Sequence, residues 1–231
     1  MDIRVLASGS AGNCYRVSDG QTHILIECGL PLREIQRGLG FRSSEIHGVL
    51  VSHEHMDHAR AAADLLRRGV DVYMTDGTAK ALGLAGHRLR HISARVGFRI
   101  GTIAVVPFDT VHDAAEPAGF LLASGGDKLL YLSDTAYCKY RFPGLTQIMI
   151  EANWSSELLR QRYEAGELDR VLRSRIIRNH MSLERALEML EANDLGRLRE
   201  VWLLHLSNDH SDEMLFKRRV QEVCGVPVYI A

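Results

Sequence analysis

Short apolar runs separated by turn residues fill the first half of the chain, and longer amphipathic stretches fill its last part. Ile3 to Ala7 reads as a strand, followed by the turn-rich Ser8-Gly9-Ser10-Ala11-Gly12-Asn13. Cys14 to Val17 and Thr22 to Glu27 are strand-like and flank Asp19-Gly20, a hairpin signal. Pro31 to Leu39 has helical spacing. Val49 to Ser52 and Val70 to Met74 read as strands. Ala59 to Arg68 and Asp76 to Leu84 read as helices, the second opened by an N-cap candidate. From about Ile92 the pattern starts again. Strands are expected at Phe98 to Ile100, Ile103 to Phe108, Gly119 to Leu122, Leu129 to Leu132 and Ile148 to Ile150. Helices are expected at Ser155 to Leu172, Leu183 to Ala192 and Asp212 to Cys224, before a last strand at Val226 to Ile230. Strands alternating with helices indicate an α/β protein. No linker or low-complexity stretch interrupts the two similar halves, so residues 1–231 are read as one domain.

Composition narrows the class. A chain of 231 residues can bury a full core, and 46% hydrophobic with 25% charged residues is ordinary for a globular protein. The net charge of −1 supplies no general basic field for nucleic acid. No apolar run approaches the roughly 18 residues that span a bilayer. Met1-Asp2-Ile3-Arg4 has no secretory pattern, so a cytoplasmic protein with no membrane partner is expected. Cys14, Cys28, Cys138 and Cys224 form no Cys-x-x-Cys pair and read as small buried hydrophobes.

The chemistry concentrates after Val49-Leu50-Val51, in Ser52-His53-Glu54-His55-Met56-Asp57-His58. Imidazole nitrogens and a carboxylate oxygen are ligands for a borderline cation such as zinc. Single candidates follow other predicted strands: His112, then Asp134 after Leu132, then His205 after Leu204. A lone histidine at a strand end is usually structural, but an ordered series is not.

His-x-His-x-Asp-His followed by a lone His, an Asp and a final His resembles the metallo-β-lactamase superfamily. The resemblance runs along nearly the whole chain. It implies a four-layer αβ/βα sandwich with metals in the cleft at the sheet edges. It also implies two divalent metal ions. His53, His55 and His112 would hold the first, Asp57, His58 and His205 the second, and Asp134 would bridge them. Zinc is the default and manganese also suits a set with no cysteine and two carboxylates.

Asp134, where β-lactamases of this fold often carry Cys, points to the phosphodiesterase branch. Ile148-Met149-Ile150-Glu151-Ala152-Asn153, Asn179-His180-Met181-Ser182 and His205-Leu206-Ser207 are similar to motifs of ribonuclease Z. The resemblance implies that His180 protonates the leaving oxygen and that Glu151 orients it, while Asp57 joins them in the catalytic set. Ser8-Gly9-Ser10-Ala11-Gly12-Asn13-Cys14 is similar to the turn of the YycJ/WalJ-like group, which contains DNA exonucleases. Anti-Pycsar cyclic nucleotide phosphodiesterases share the same motifs. Asn13 and Asn153 are the candidate substrate contacts. Glu27 stands where the family usually has Asp, which puts the bracing of the metal loop in doubt.

The function expected is a dinuclear metal-dependent phosphodiesterase, converting a 3′,5′-cyclic nucleotide to its 5′-monophosphate. The alternative is a single-strand or exonucleolytic nuclease, and the remote one a metal-binding protein without turnover. Near-neutral charge and the lack of a long inserted arm favour a small nucleotide. Arg160, Arg162, Arg170, Arg173, Arg175 and Arg178 either guide a polynucleotide or solvate a helix face. Tyr137, Tyr140, Trp154 and Tyr163 are candidates to sandwich a base. The resemblance also implies a homodimer.

Overall fold

The computed structural model describes residues 1–231. It is a mixed α/β protein whose strands fall into two sheets. The chain resolves into two compact units. One contains Met1–Asp109 and Ala114–Asp127, the other Thr110–Asp113 and Lys128–Ala231.

The first unit is built on a sheet ordered β1 (Asp2–Ala7), β2 (Cys14–Ser18), β3 (His23–Ile26), β4 (Ile46–Leu50), β5 (Val72–Thr75) and β6 (Leu89–Ile92). The pairs β1–β2 and β2–β3 are antiparallel, whereas β3, β4, β5 and β6 run parallel. Parallel strands are covered on both faces and so read as continuous apolar runs. Val49, Leu50 and Val51 are accordingly all buried. Helices α1 (Leu32–Gly38), α2 (Met56–Ala59), α3 (Ala62–Arg67) and α4 (Asp76–Ala81) connect the strands. Leu25, Ile35, Val49, Leu65, Val72 and Met74 share one core with Cys14 and Cys28. Three further strands, β7 (Phe98–Ile100), β8 (Ile103–Asp109) and β9 (Ala118–Ser124), form an antiparallel ladder.

Two local differences from expectation matter for the site. Strand β4 ends at Leu50, because the amide of Ser52 is given to the Glu27 carboxylate at 3.2 Å. The helix expected from Ala59 is split, and its first turn, α2, begins at Met56 inside the histidine motif. Strand β6 was not anticipated. Its burial does not alternate, since Leu89 and Ile92 are buried and Arg90 and His91 exposed, so it lacks the period-two signal.

The second unit has four parallel strands in the order β10 (Asp127–Leu132), β11 (Gln147–Glu151), β12 (Glu200–Leu204) and β13 (Val228–Ile230). Every residue of β11 is buried. Helices α5 (Ser156–Glu164), α6 (Arg170–Asn179), α7 (Leu183–Glu191) and α8 (Glu213–Cys224) complete it. The single helix expected over Ser155 to Leu172 is two. Gly166 takes φ +73°, a left-handed conformation that glycine adopts freely, and the Asp169 carboxylate then caps α6 at Val171 N and Leu172 N. Ser155, Ser182 and Asp212 cap α5, α7 and α8 in the same way.

Because β10, β11 and β12 are parallel, their carboxyl ends lie on one edge. That edge is where open α/β sheets carry ligands. Asp134, Glu151 and His205 are delivered there.

Candidate metal centre

In the first unit the histidines are held from behind. Ser52 Oγ lies 2.8 Å from His53 Nδ1, which leaves His53 Nε2 facing His55 Nδ1 at 3.1 Å. The rings of His53 and His58 are 4.2 Å apart. His58 Nδ1 is 3.5 Å from the Glu27 carboxylate, and its Nε2 is 3.1 Å from Asn13 Nδ2 and 3.4 Å from Asp57. Glu27, His53 and His58 are all buried. Glu27 therefore braces this loop despite its extra methylene. It does so with φ +62°, a left-handed angle that costs a non-glycine residue roughly 1–2 kcal/mol.

The turn carrying Asp57 and His58 is gripped by the backbone. Asn13 N donates to Asp57 O at 2.7 Å, and Cys28 N donates to His58 O at 2.8 Å. Gly29 makes this approach possible, since a Cβ there would lie 1.7 Å from Asp57 O. Asn13 is wholly buried, and its side-chain oxygen accepts from Gly9 N and Tyr15 Oη. As placed, Asn13 orients His58 and offers nothing to solvent.

The second unit gathers its residues from distant segments. The donor atoms of Asp134, Glu151, His180 and His205 all lie within 4.8 Å of one another. His180 Nδ1 sits 2.6 Å from Glu151 Oε1. The other Glu151 oxygen accepts from Thr135 N and Met181 N, each at 3.1 Å. His112 Nδ1 faces Asn179 O at 2.9 Å, so it must donate, and Nε2 is left toward Asp134 at 3.6 Å. Asn153 Nδ2 lies 3.1 Å from His205 Nδ1 and donates to His205 O at 2.7 Å. Asn153, like Asn13, is a buried amide holding a histidine. Asp134 and His205 take φ +47° and +52°, again left-handed at the end of a strand.

Charge separates the histidines. Burial draws the His112 imidazole below its ordinary pKa and outweighs the attraction of Asp134, so it is neutral near pH 7, as a ligand must be. Burial also opposes charge on His180, but the Glu151 carboxylate and its hydrogen bond prevail and raise the imidazole above its usual value. Burial pushes the Glu151 carboxyl up, yet the His180 charge against it wins and holds it below the ordinary range. Glu151 and His180 thus form an ion pair over neutral pH.

The donor set fits divalent cations. Imidazole nitrogens and carboxylate oxygens with no thiolate suit zinc and also manganese. Two imidazole nitrogens facing each other at 3.1 Å, as in His53 and His55, compete for one proton unless a cation accepts both lone pairs. Cys14 and Cys28 lie in the core, where burial raises both thiols well above their ordinary pKa, so neither is a ligand.

The supporting roles were not read from sequence. Ser52, Gly29, Thr135 and the carbonyl of Asn179 act through backbone or proton placement, and only the adjacency of Ser52 to the motif was a signal. Trp154, a candidate from sequence to sandwich a base, also takes a supporting role: its indole N–H donates to His180 O at 3.0 Å. Of the arginine cluster, Arg160 is paired with Glu157 and Glu164, and Arg162 with Glu167 and Asp209. These two solvate a helix face.

A family model described as beta-lactamase superfamily domain matches residues 22–222. The exodeoxyribonuclease WalJ of Streptococcus pneumoniae is 28% identical over 226 residues, covering 90% of this chain and 82% of that protein. The exodeoxyribonuclease YycJ of Bacillus anthracis is 27% identical over 239 residues, covering 96% and 89%. Among solved structures, the metallo-beta-lactamase fold protein YhfI of Bacillus subtilis superposes with a TM-score of 0.75 at 16% identity, covering 99% and 95%.

Proposed function

The chain belongs to the beta-lactamase superfamily, and on that premise we propose that it is a metal-dependent phosphodiesterase that cleaves nucleotide phosphodiester bonds. By the motif resemblance, His53, His55 and His112 would hold one cation and Asp57, His58 and His205 a second, with Asp134 a ligand for both. Zinc is the ion favoured by the ligand set, with manganese the second choice. When bound, the cations supply Lewis acidity and an acidified water.

The observation that carries the reading is the Glu151–His180 contact of 2.6 Å. The carboxylate keeps a proton on His180, and Thr135 N and Met181 N fix the carboxylate in turn. His180 donates Nδ1–H to Glu151 Oε1 and presents Nε2–H to the departing sugar oxygen. An alkoxide is a poor leaving group, and a positioned acid contributes about 10² to 10⁴ in rate. Asn13 and Asn153 support this chemistry through His58 and His205.

DNA is the substrate class favoured by the names of the two relatives, both exodeoxyribonucleases. A second reading, hydrolysis of a 3′,5′-cyclic nucleotide to its 5′-monophosphate, is favoured by the net charge of −1. Metal-reconstituted protein given single-stranded DNA, duplex DNA and cyclic mononucleotides side by side separates the two. DNA cleavage with a steep fall in binding as salt rises supports the nuclease. Turnover of the cyclic nucleotide alone, weakly dependent on salt, replaces it with the second reading. No turnover of any diester by protein holding two metals per chain leaves a metal-binding protein. We place a homodimer contact on α5 and α6, which expose Tyr163, Val171 and Leu172; sedimentation at a single monomeric mass removes it.

A further inference from the structure

We propose that a cavity between residues 137–141 and the start of α7 is a subsite for one unpaired nucleotide flanking the cleaved bond. The proposal rests on the phosphodiesterase reading and specifies its substrate as a single-stranded polynucleotide. The cavity has a volume of about 690 Å³, within the usual range of roughly 300–1,000 Å³ for ligand pockets. Tyr137, Lys139, Tyr140, Arg141, Trp154 and Arg185 line it.

Both walls lead directly from the Asp134–His180 cluster. One wall leaves Asp134 through Thr135, whose hydroxyl donates to Tyr137 O at 2.9 Å, and through Ala136, whose carbonyl accepts from the Arg185 guanidinium at 3.0 Å. The other includes Trp154, whose indole N–H holds the His180 carbonyl, and Ser182, which caps α7. A substrate whose phosphorus lies at the cluster therefore has its neighbouring nucleotide beside this cavity.

The lining chemistry suits a nucleotide. Rings and cations alternate: the Arg185 guanidinium lies 5.8 Å from the Tyr137 ring centre, and Lys139 Nζ lies 5.1 Å from that of Tyr140. Tyr137 is 45% exposed, so a ring face remains available to a base. Single-strand binding sites combine such aromatic platforms with cations that track phosphates. Glu184 and Glu188 also line the cavity, and Glu184 Oε1 accepts the amide of Ser156 at the start of α5. Lys139, Arg141 and Arg185 leave a cationic balance.

Two measurements test the subsite. Binding of fluorescein-labelled oligothymidylate, read by anisotropy on metal-loaded protein, needs no turnover. Tyr137→Ala should weaken it about tenfold, while Tyr137→Phe keeps most of the affinity. The double substitution Lys139→Gln, Arg141→Gln should flatten the slope of log K against log salt by about one. The second measurement is the kcat/KM ratio of a single-stranded oligonucleotide to bis(p-nitrophenyl) phosphate, which should fall about tenfold in Tyr137→Ala, mainly through KM. Unaltered binding in Tyr137→Ala and in the double variant overturns the subsite. So does thymidine monophosphate binding as tightly as the oligonucleotide. Wild-type protein that binds oligothymidylate through these residues but cleaves no diester overturns the phosphodiesterase reading and leaves the subsite standing.

Discussion

His53 and His180 are both imidazoles at buried or half-buried positions, yet their partners are opposite in kind. His53 has the Ser52 hydroxyl behind it and the His55 imidazole in front. His180 has the wholly buried Glu151 carboxylate at 2.6 Å. With Nδ1 toward the Ser52 hydroxyl, the first arrangement turns Nε2 forward, the atom a cation would take. The second keeps a ring charged with a proton to give. On the proposed reading the first ring serves as a metal ligand and the second as an acid.

The largest expected effect tests the ligand side. His53→Ala or Asp57→Ala should bring phosphodiester cleavage to background and lower the metal content, measured by elemental analysis against about two ions per chain in the parent. His180→Ala comes next. Both metals should remain while kcat falls by about 10² to 10⁴. Loss of a metal in that variant would erase the distinction between the two histidines.

A smaller effect is expected behind the ligands. Ser52→Ala removes the hydroxyl at His53 Nδ1 and should weaken metal affinity by about 10- to 100-fold, read by competition with a chelator. Unchanged affinity would mean the ring is oriented by packing alone.

The pH profile sharpens the acid side. His180 has a raised pKa in the folded chain, so its contribution to stability is complete below its unfolded value and is lost as pH rises through the folded one. Glu151 has a lowered pKa, so its contribution is present above its unfolded value and is lost as pH falls through the folded one. The ion pair is intact between the lowered value of Glu151 and the raised value of His180. Activity that needs protonated His180 should decline on the alkaline side, and Glu151→Gln should move that decline to lower pH. An alkaline limb unmoved by Glu151→Gln assigns it to another group.

The two regions also differ in how far they could be read before folding. The motif from His53 to His58 is contiguous, so its ligand types and spacing are visible in one line of residues. Asp134, Glu151, His180 and His205 are scattered, and only their order after apolar runs linked them. The parallel register of β10, β11 and β12 converts that order into proximity. Strands with continuous burial were legible for the same reason, as at Val49 to Val51. The break at Gly166 and the cap at Asp169 were missed because the flanking segments both carry helix-forming residues. Gly29 was silent because its role is set by the carbonyl of Asp57, twenty-eight positions away. Tyr137, Tyr140 and Trp154 were visible as aromatics, but their common cavity required the fold.

The left-handed backbone at Glu27, Asp134 and His205 bears on how such a sequence can change over generations. At each place a glycine would relieve roughly 1–2 kcal/mol of strain, so drift toward stability pulls against these three side chains. Asp134→Gly should therefore melt no lower than the metal-stripped parent, while an inactive descendant that had lost its substrate would have every reason to keep the substitution.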